Sequence, residues 1–407
     1  MAGVGEEHSS CVYLDYNATT PIFPEVAEAM KPYLTEFGNP SSNHPYGRKC
    51  KQAVELARQQ VARLINAQPS EIYFCSCGTE ADNWAIWGAI VASRAQNPML
   101  MPHVVTSAIE HPAILEQLKM LQGLGLVSYT TVGVNSEGIV NVTDLLEALE
   151  TPSTRPCLLT IMHSNNEVGS LQPIAEVAKL AQCTGILVHS DAAQSIGKVP
   201  VDVKQLGVDM LTLVGHKFGA PKGVAALYIK DGVSKTKVSN FLCGGGQENG
   251  RRAGTENVLL IVGLGKAAEI AYNELERTKN HMAYLRNELQ RLLKEQTPEG
   301  LKVQVNGPID PQLRLPNTLS ISFNGISSSQ LLSELSEEVA ASAGAACHSS
   351  NSPVISSVLA AMQVPNEYAL GTLRLSVGRH TTEEDVKRGA DLIIKKVADL
   401  RNRTGYY

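Results

Sequence analysis

The run His189-Ser190-Asp191-Ala192-Ala193-Gln194 is followed, after the apolar stretch Met210-Leu211-Thr212-Leu213-Val214, by Gly215-His216-Lys217. An acid and a lysine thus stand at the ends of two successive strand-like segments. A lysine amine can hold an aldehyde cofactor as a Schiff base. An aspartate can keep a pyridine nitrogen protonated, so that the ring accepts electrons. Pyridoxal phosphate needs both groups. Alone, each is a weak signal: the H-x-D-x-x-Q run also describes an exposed strand end, and most lysines are solvated surface charges. Here Lys217 sits between an apolar segment and Phe218-Gly219-Ala220-Pro221, a strand-to-loop junction where partial burial would lower its pKa.

Further stretches could serve the same chemistry. Ser76-Cys77-Gly78-Thr79-Glu80-Ala81-Asp82-Asn83 runs from a strand into a helix and offers backbone N–H groups and the Thr79 hydroxyl to a phosphate; the plain alternative is a helix N-cap at Thr79. Cys75 and Cys77 are expected to be structural. His111, between a strand and a helix, could stack on a planar cofactor or shuttle a proton. In Asn165-Asn166-Glu167-Val168-Gly169 a carboxamide could address a phenolic oxygen or a substrate carboxylate, or the run is an Asn/Gly turn. The glycine-rich segment 243–257 suggests backbone approaching something closely, or a surface loop. Cys347 lies among small residues in Ser342 to Ser352, which favours a reactive thiol. Arg374 alternates with apolar neighbours and could clamp a carboxylate, or form an interdomain ion pair.

Composition narrows the class. With 407 residues, 43% hydrophobic and 18% charged, the chain is long enough for two domains with ample cores. A net charge of −5 without basic runs argues against nucleic acid or an anionic membrane as partner. No apolar run reaches membrane-spanning length. The first ten residues resemble neither a secretory signal nor a transit peptide, so a cytoplasmic location is expected. Eight cysteines lack C-x-x-C or zinc-ligand spacing, so neither a metal site nor a disulfide framework is expected.

These residues must be positioned by an α/β architecture. Strand-like runs at 71–76, 103–107, 126–132, 157–163, 186–190, 210–214 and 224–229 alternate with helical stretches at 80–95, 112–124, 142–149 and 173–184. That alternation predicts a seven-stranded, mostly parallel sheet covered by helices, with ligands at the strands' carboxyl ends. A charged helix at 274–295 bridges to a smaller α+β unit, with strands at 301–305, 318–323 and 372–376 and helices at 328–336, 353–362 and 382–401. Thr381-Thr382-Glu383-Glu384 carries helix-start chemistry. The expected division is a large domain at 22–265 and a small one from 1–21 and 266–407 that carries the cysteine loop.

Taken in order, Leu14 to Pro21, Gly38-Asn39-Pro40-Ser41-Ser42, Gly78-Thr79-Glu80, Glu110-His111, Asn165-Asn166-Glu167, His189 to Gln194, Gly215-His216-Lys217, the triple-glycine loop, Cys347 and Arg374 resemble the NifS-type cysteine desulfurase and selenocysteine lyase family. The resemblance covers essentially the whole chain. It implies a pyridoxal phosphate-dependent transferase fold of type I and a homodimer. Lys217 would be the Schiff-base lysine, Asp191 the partner of the pyridine nitrogen and His111 the stacking ring. Gln194 and Asn166 would address the phenolic oxygen and the substrate. Gly78, Thr79 and His216 would hold the phosphate, and Thr255 the phosphate of the neighbouring subunit. Arg374 would take the substrate α-carboxylate, and Cys347 would accept sulfur or guide selenium, with an acceptor protein as a further partner. Many bacterial desulfurases carry serine where Val214 stands, and the segments around Lys217 and Cys347 are similar to animal selenocysteine lyases. The resemblance therefore tilts the expected substrate toward L-selenocysteine, giving L-alanine, with L-cysteine as the alternative.

Overall fold

A computed structural model describes residues 11–150, 156–232, 236–346 and 354–404. Its main sheet has seven strands in the order Ile72–Cys75, Ala225–Ile229, Met210–Val214, Leu187–Asp191, Pro156–Thr160, His103–Ser107 and Ser128–Val132. Only Ala225–Ile229 runs against its neighbours. The remaining pairs are parallel. Central strands such as Met210–Val214 are buried along their whole length, as expected when helices cover both faces. Side chains alternate between those two faces. Leu211 and Leu213 enter one core with Val105, Leu159 and Val188, while Met210 enters the other with Val104, Leu158 and Trp84.

A second sheet is antiparallel, ordered Ser342–Ala343, Thr372–Ser376, Thr318–Phe323 and Val303–Asn306. Its core joins Leu319, Ile321 and Leu373 to Leu285, Leu289 and Leu293 of one helix and to Val386, Ile393 and Val397 of another. Val12 and Leu14 pack there too. The last helix, Glu383–Thr404, opens on reciprocal bonds: Thr382 Oγ1 accepts from Asp385 N at 3.1 Å and Thr382 N donates to Asp385 Oδ2 at 2.8 Å.

Two expected elements change. The bridging helix is Val258–Glu295, beginning well before residue 274. Gly263 and Gly265 read locally as breakers, yet both serve packing. A Cβ on Gly265 would stand 2.6 Å from Ala57 of the Pro45–Leu64 helix, and one on Gly263 would stand 2.8 Å from Met30 and Pro221. The helix expected at 353–362 is shortened to Ser357–Ala361, because Ser356 caps it by accepting from Val358 N at 3.1 Å. Val354–Ile355 instead pairs antiparallel with Ala345–Ala346. No helix among the described residues is long and apolar enough to cross a membrane.

Candidate active site

Gly78, Thr79, His111, Asn166, Asp191, Gln194, His216, Lys217 and Arg374 all line one cavity of about 330 Å³. That volume suits a small ligand. All but Arg374, which comes from the second sheet, follow or end a strand of the main sheet at its carboxyl end.

Lys217 closes a short turn, Gly215–Lys217, directly after Met210–Val214. Its Nζ donates to Asn17 O at 2.7 Å and Ala18 O at 2.8 Å. Burial, then the Arg374 charge, lower its pKa to about 8, with Asp191 and Asp15 opposing. Asp191 ends its strand buried, and Oδ1 accepts from Ala193 N at 2.8 Å. Burial raises its carboxyl pKa, while the Ala193 bond, His111 and Lys217 pull the other way. Asp82 lies one helical turn beyond Gly78 and is buried, with Oδ1 lacking any hydrogen bond. Burial first, then the charge of Asp191, raises its pKa well above the carboxylate range. His189 Nε2 stands 3.7 Å from that oxygen and 3.0 Å from Thr212 Oγ1. Two buried carboxyls lining one cavity favour a cation there, and a protonated pyridine ring is one. The residues therefore fit pyridoxal phosphate.

His111 is the N-cap of Pro112–Gly123, and its Nδ1 accepts from Ala113 N at 3.1 Å. That bond holds the imidazole orientation, and burial keeps it neutral by lowering its pKa. His216 is likewise pushed down, to about 4, chiefly by burial; its Nδ1 lies 3.1 Å from Thr19 Oγ1. The helix expected to be capped by Thr79 begins instead at Gly78, with Cys77 at the N-cap and no side-chain cap bond. Its first-turn N–H groups thus remain for an anion. Cys77, expected to be structural, is exposed and lines the cavity, because the chain turns outward there; Cys75 is buried and its thiol pKa is driven up by burial.

Residues 165–169 form the Asn/Gly turn. Asn165 Oδ1 accepts from Glu167 N at 2.8 Å and Val168 N at 3.0 Å, forming the turn that presents Asn166 to the cavity. Arg374 forms an ion pair, with Asp15. Its Nη2 donates to Asp15 Oδ1 at 2.8 Å and to Ser342 Oγ at 2.7 Å, while its Nε is buried without a partner. Thr255 is not in this cavity. It lines a separate recess with Phe74 and Gly223, on a loop tied down by Arg252, which forks onto Glu80 at 2.8 and 2.9 Å. Cys347 lies outside the described residues; the paired strands Ala345–Ala346 and Val354–Ile355 flank its segment. Beside them, Ser356 Oγ donates to Glu167 Oε2, next to Asn166.

Four participants were missed as site residues: Asp15, Asn17, Asp82 and Lys198. Asp15 and Asn17 stood in the Leu14-to-Pro21 motif but carried no role. Asp82 stands four residues after Gly78 on one helix, a spacing that puts both on one side; Lys198 follows Gln194 through non-helical turns, where no such spacing rule applies.

Residues 12–388 match the family described as aminotransferase class-V. A relative from Methanosarcina thermophila, named cysteine desulfurase IscS, is 45% identical over 397 residues, covering 97% of this chain and 94% of its own. A solved structure named NifS-like protein superposes with a TM-score of 0.85 at 36% identity, covering 96% of this chain and all of the other. Another, described as SspA in complex with cysteine, gives 0.75 at 33% identity over 91% of this chain and 99% of its own. With its lysine and carboxylates gathered in one cavity and its whole length matched, the chain belongs to the class-V aminotransferases and, among them, to the pyridoxal phosphate-dependent NifS-type cysteine desulfurases.

Proposed function

We propose that this enzyme removes sulfur from L-cysteine, releasing L-alanine and leaving the sulfur on Cys347 as a persulfide for an acceptor protein. The observation that carries the reading is the shared cavity of Lys217, Asp191, His111 and Arg374. The names of the relatives support cysteine as substrate, as does the solved relative described in complex with cysteine. We include in this reading a homodimer whose Thr255 reaches the neighbouring site, a cytosolic location, and a division into a 22–265 unit and a unit from 1–21 and 266–407.

Pyridoxal phosphate bound here supplies a sink for the negative charge that develops at the substrate Cα. Lys217 would hold its aldehyde, and its Nζ would take the substrate α-proton. Asp191 would keep the ring nitrogen protonated, and His111 would lie against the ring. The uncapped N–H groups at Gly78 and Thr79, with His216, hold the phosphate. Gln194 and Asn166 address the phenolic oxygen and the substrate, and Arg374 holds the α-carboxylate. The Cys347 thiolate attacks the substrate sulfur: a Cys347 S–S bond forms, the substrate Cβ–S bond breaks, and its electron pair and a proton end on the carbon that becomes the methyl group of alanine.

The tilt toward selenocysteine rested on the segments around Lys217 and Cys347, with Val214 the one departure singled out. That side chain is buried against Gly78, where an added Cβ would stand 2.5 Å from its Cγ2. It therefore bears on the phosphate end of the site rather than on the atom leaving Cβ. Alanine release from L-cysteine and L-selenocysteine, measured side by side with wild type and Cys347→Ala, tests the reading. Cysteine turnover is expected to fall by about 100-fold or more in the variant. Undiminished release from cysteine by Cys347→Ala overturns the persulfide route.

A further inference from the structure

Lys198 is almost completely buried, yet no carboxylate among the described residues pairs with it. Its Nζ donates to a single acceptor, Gln194 Oε1, at 2.8 Å. The other end of that amide, Nε2, donates to Asn17 O at 2.9 Å. A backbone carbonyl can only accept, so the amide nitrogen must face Asn17 and its oxygen must face Lys198. One lone pair of Gln194 Oε1 is thereby engaged, with the oxygen turned toward Lys198, and one of its two amide N–H groups is used. The donor that remains is the second N–H.

We propose that Lys198 is a positioning residue: its bond to Gln194 Oε1 locks the carboxamide so that the free N–H is presented to an anionic oxygen of the bound cofactor. This rests on the reading that Gln194 addresses the phenolic oxygen. Gln194 and Lys198 lie four residues apart and both are buried, so the lock is local. Burial, then the charges of Lys217 and Arg374, lower the Lys198 pKa well below the usual lysine value. Without this amine, Gln194 Oε1 would be left buried and unpaired, and the amide would turn to seek another donor.

The test uses the holoenzyme and follows the pH midpoint of the cofactor's visible absorption, with cofactor dissociation measured by equilibrium dialysis. An N–H donor to the phenolic oxygen stabilises its anionic form, so Gln194→Leu is expected to raise the midpoint by about one unit. Lys198→Met should move it most of that way and weaken cofactor retention several-fold. In a Gln194→Leu background, Lys198→Met should add nothing. Lys198→Gln, which keeps a neutral N–H donor, should hold the midpoint near wild type and serves also if the Met variant does not fold. A midpoint unmoved by Lys198→Met while Gln194→Leu shifts it overturns the proposal alone. So does a Lys198→Met shift that persists in the Gln194→Leu background, or a Lys198→Gln shift as large as that of Gln194→Leu. No shift in Gln194→Leu itself overturns the reading of Gln194, and the proposal with it.

Discussion

The depressed pKa of Lys217, about 8, makes a prediction that an ordinary lysine would not satisfy. Only the neutral amine condenses with an aldehyde, so pyridoxal phosphate should enter the cofactor-free enzyme faster as pH rises, with a midpoint near 8 rather than above 10. Stopped-flow absorbance across pH 6 to 10 reads this directly, and a midpoint above 10 would show that burial leaves the amine unperturbed. Asp191→Asn should keep the fold but lower turnover by about 10²–10⁴-fold, because a neutral amide cannot hold the ring nitrogen protonated. Steady-state alanine release checks it. The two residues were legible as a pair, Asp191 at the end of one apolar strand and Lys217 just after the next. Asp82 was not: a carboxylate in the first turn of a helix reads as dipole compensation, and only the fold places it beside Asp191.

At the scale of elements, the strands were legible because continuous apolar runs bounded by turn residues are what a doubly covered sheet requires. In the long helix Val258–Glu295, Gly263 and Gly265 each lower helix propensity by about 1 kcal/mol relative to alanine. Packing decides otherwise, and the sign of a substitution reveals it. Gly265→Ala gains propensity but drives a methyl to within 2.6 Å of Ala57, so a net destabilisation of about 1–3 kcal/mol is expected. Gly123→Ala, at the end of another helix with nothing within 4 Å of the new methyl, should instead be neutral or stabilising by up to about 1 kcal/mol. Urea unfolding of the pair tests the contrast. If Gly265→Ala proves as stable as Gly123→Ala, the helix contact is looser than described.

For the whole molecule, the segment after the first strand joins the two sheets. Asn17 Nδ2 donates to Thr318 Oγ1 at 2.8 Å and to Asn166 O at 3.1 Å, while its Oδ1 accepts from Asn317 Nδ2 at 2.9 Å. Its backbone N donates to Ser376 Oγ, and its backbone O receives both Lys217 and Gln194. One asparagine thus ties the antiparallel sheet to the cavity. Sequence could locate this run within a motif but not its contacts, since its partners lie 149 to 359 residues away. Asn17→Ala removes only the side-chain bonds and takes one bond from each of Thr318, Asn317 and the half-buried Asn166 carbonyl, which keep those to Asn317, Val377 and Arg374. Stability should fall by about 1–3 kcal/mol. The backbone carbonyl that receives Lys217 survives the substitution, so the midpoint of cofactor entry should stay near 8 even as unfolding occurs at lower urea. A variant in which both move together would mean that the side chain also sets the environment of Lys217. One with unchanged stability would mean that the two sheets are held together by other contacts.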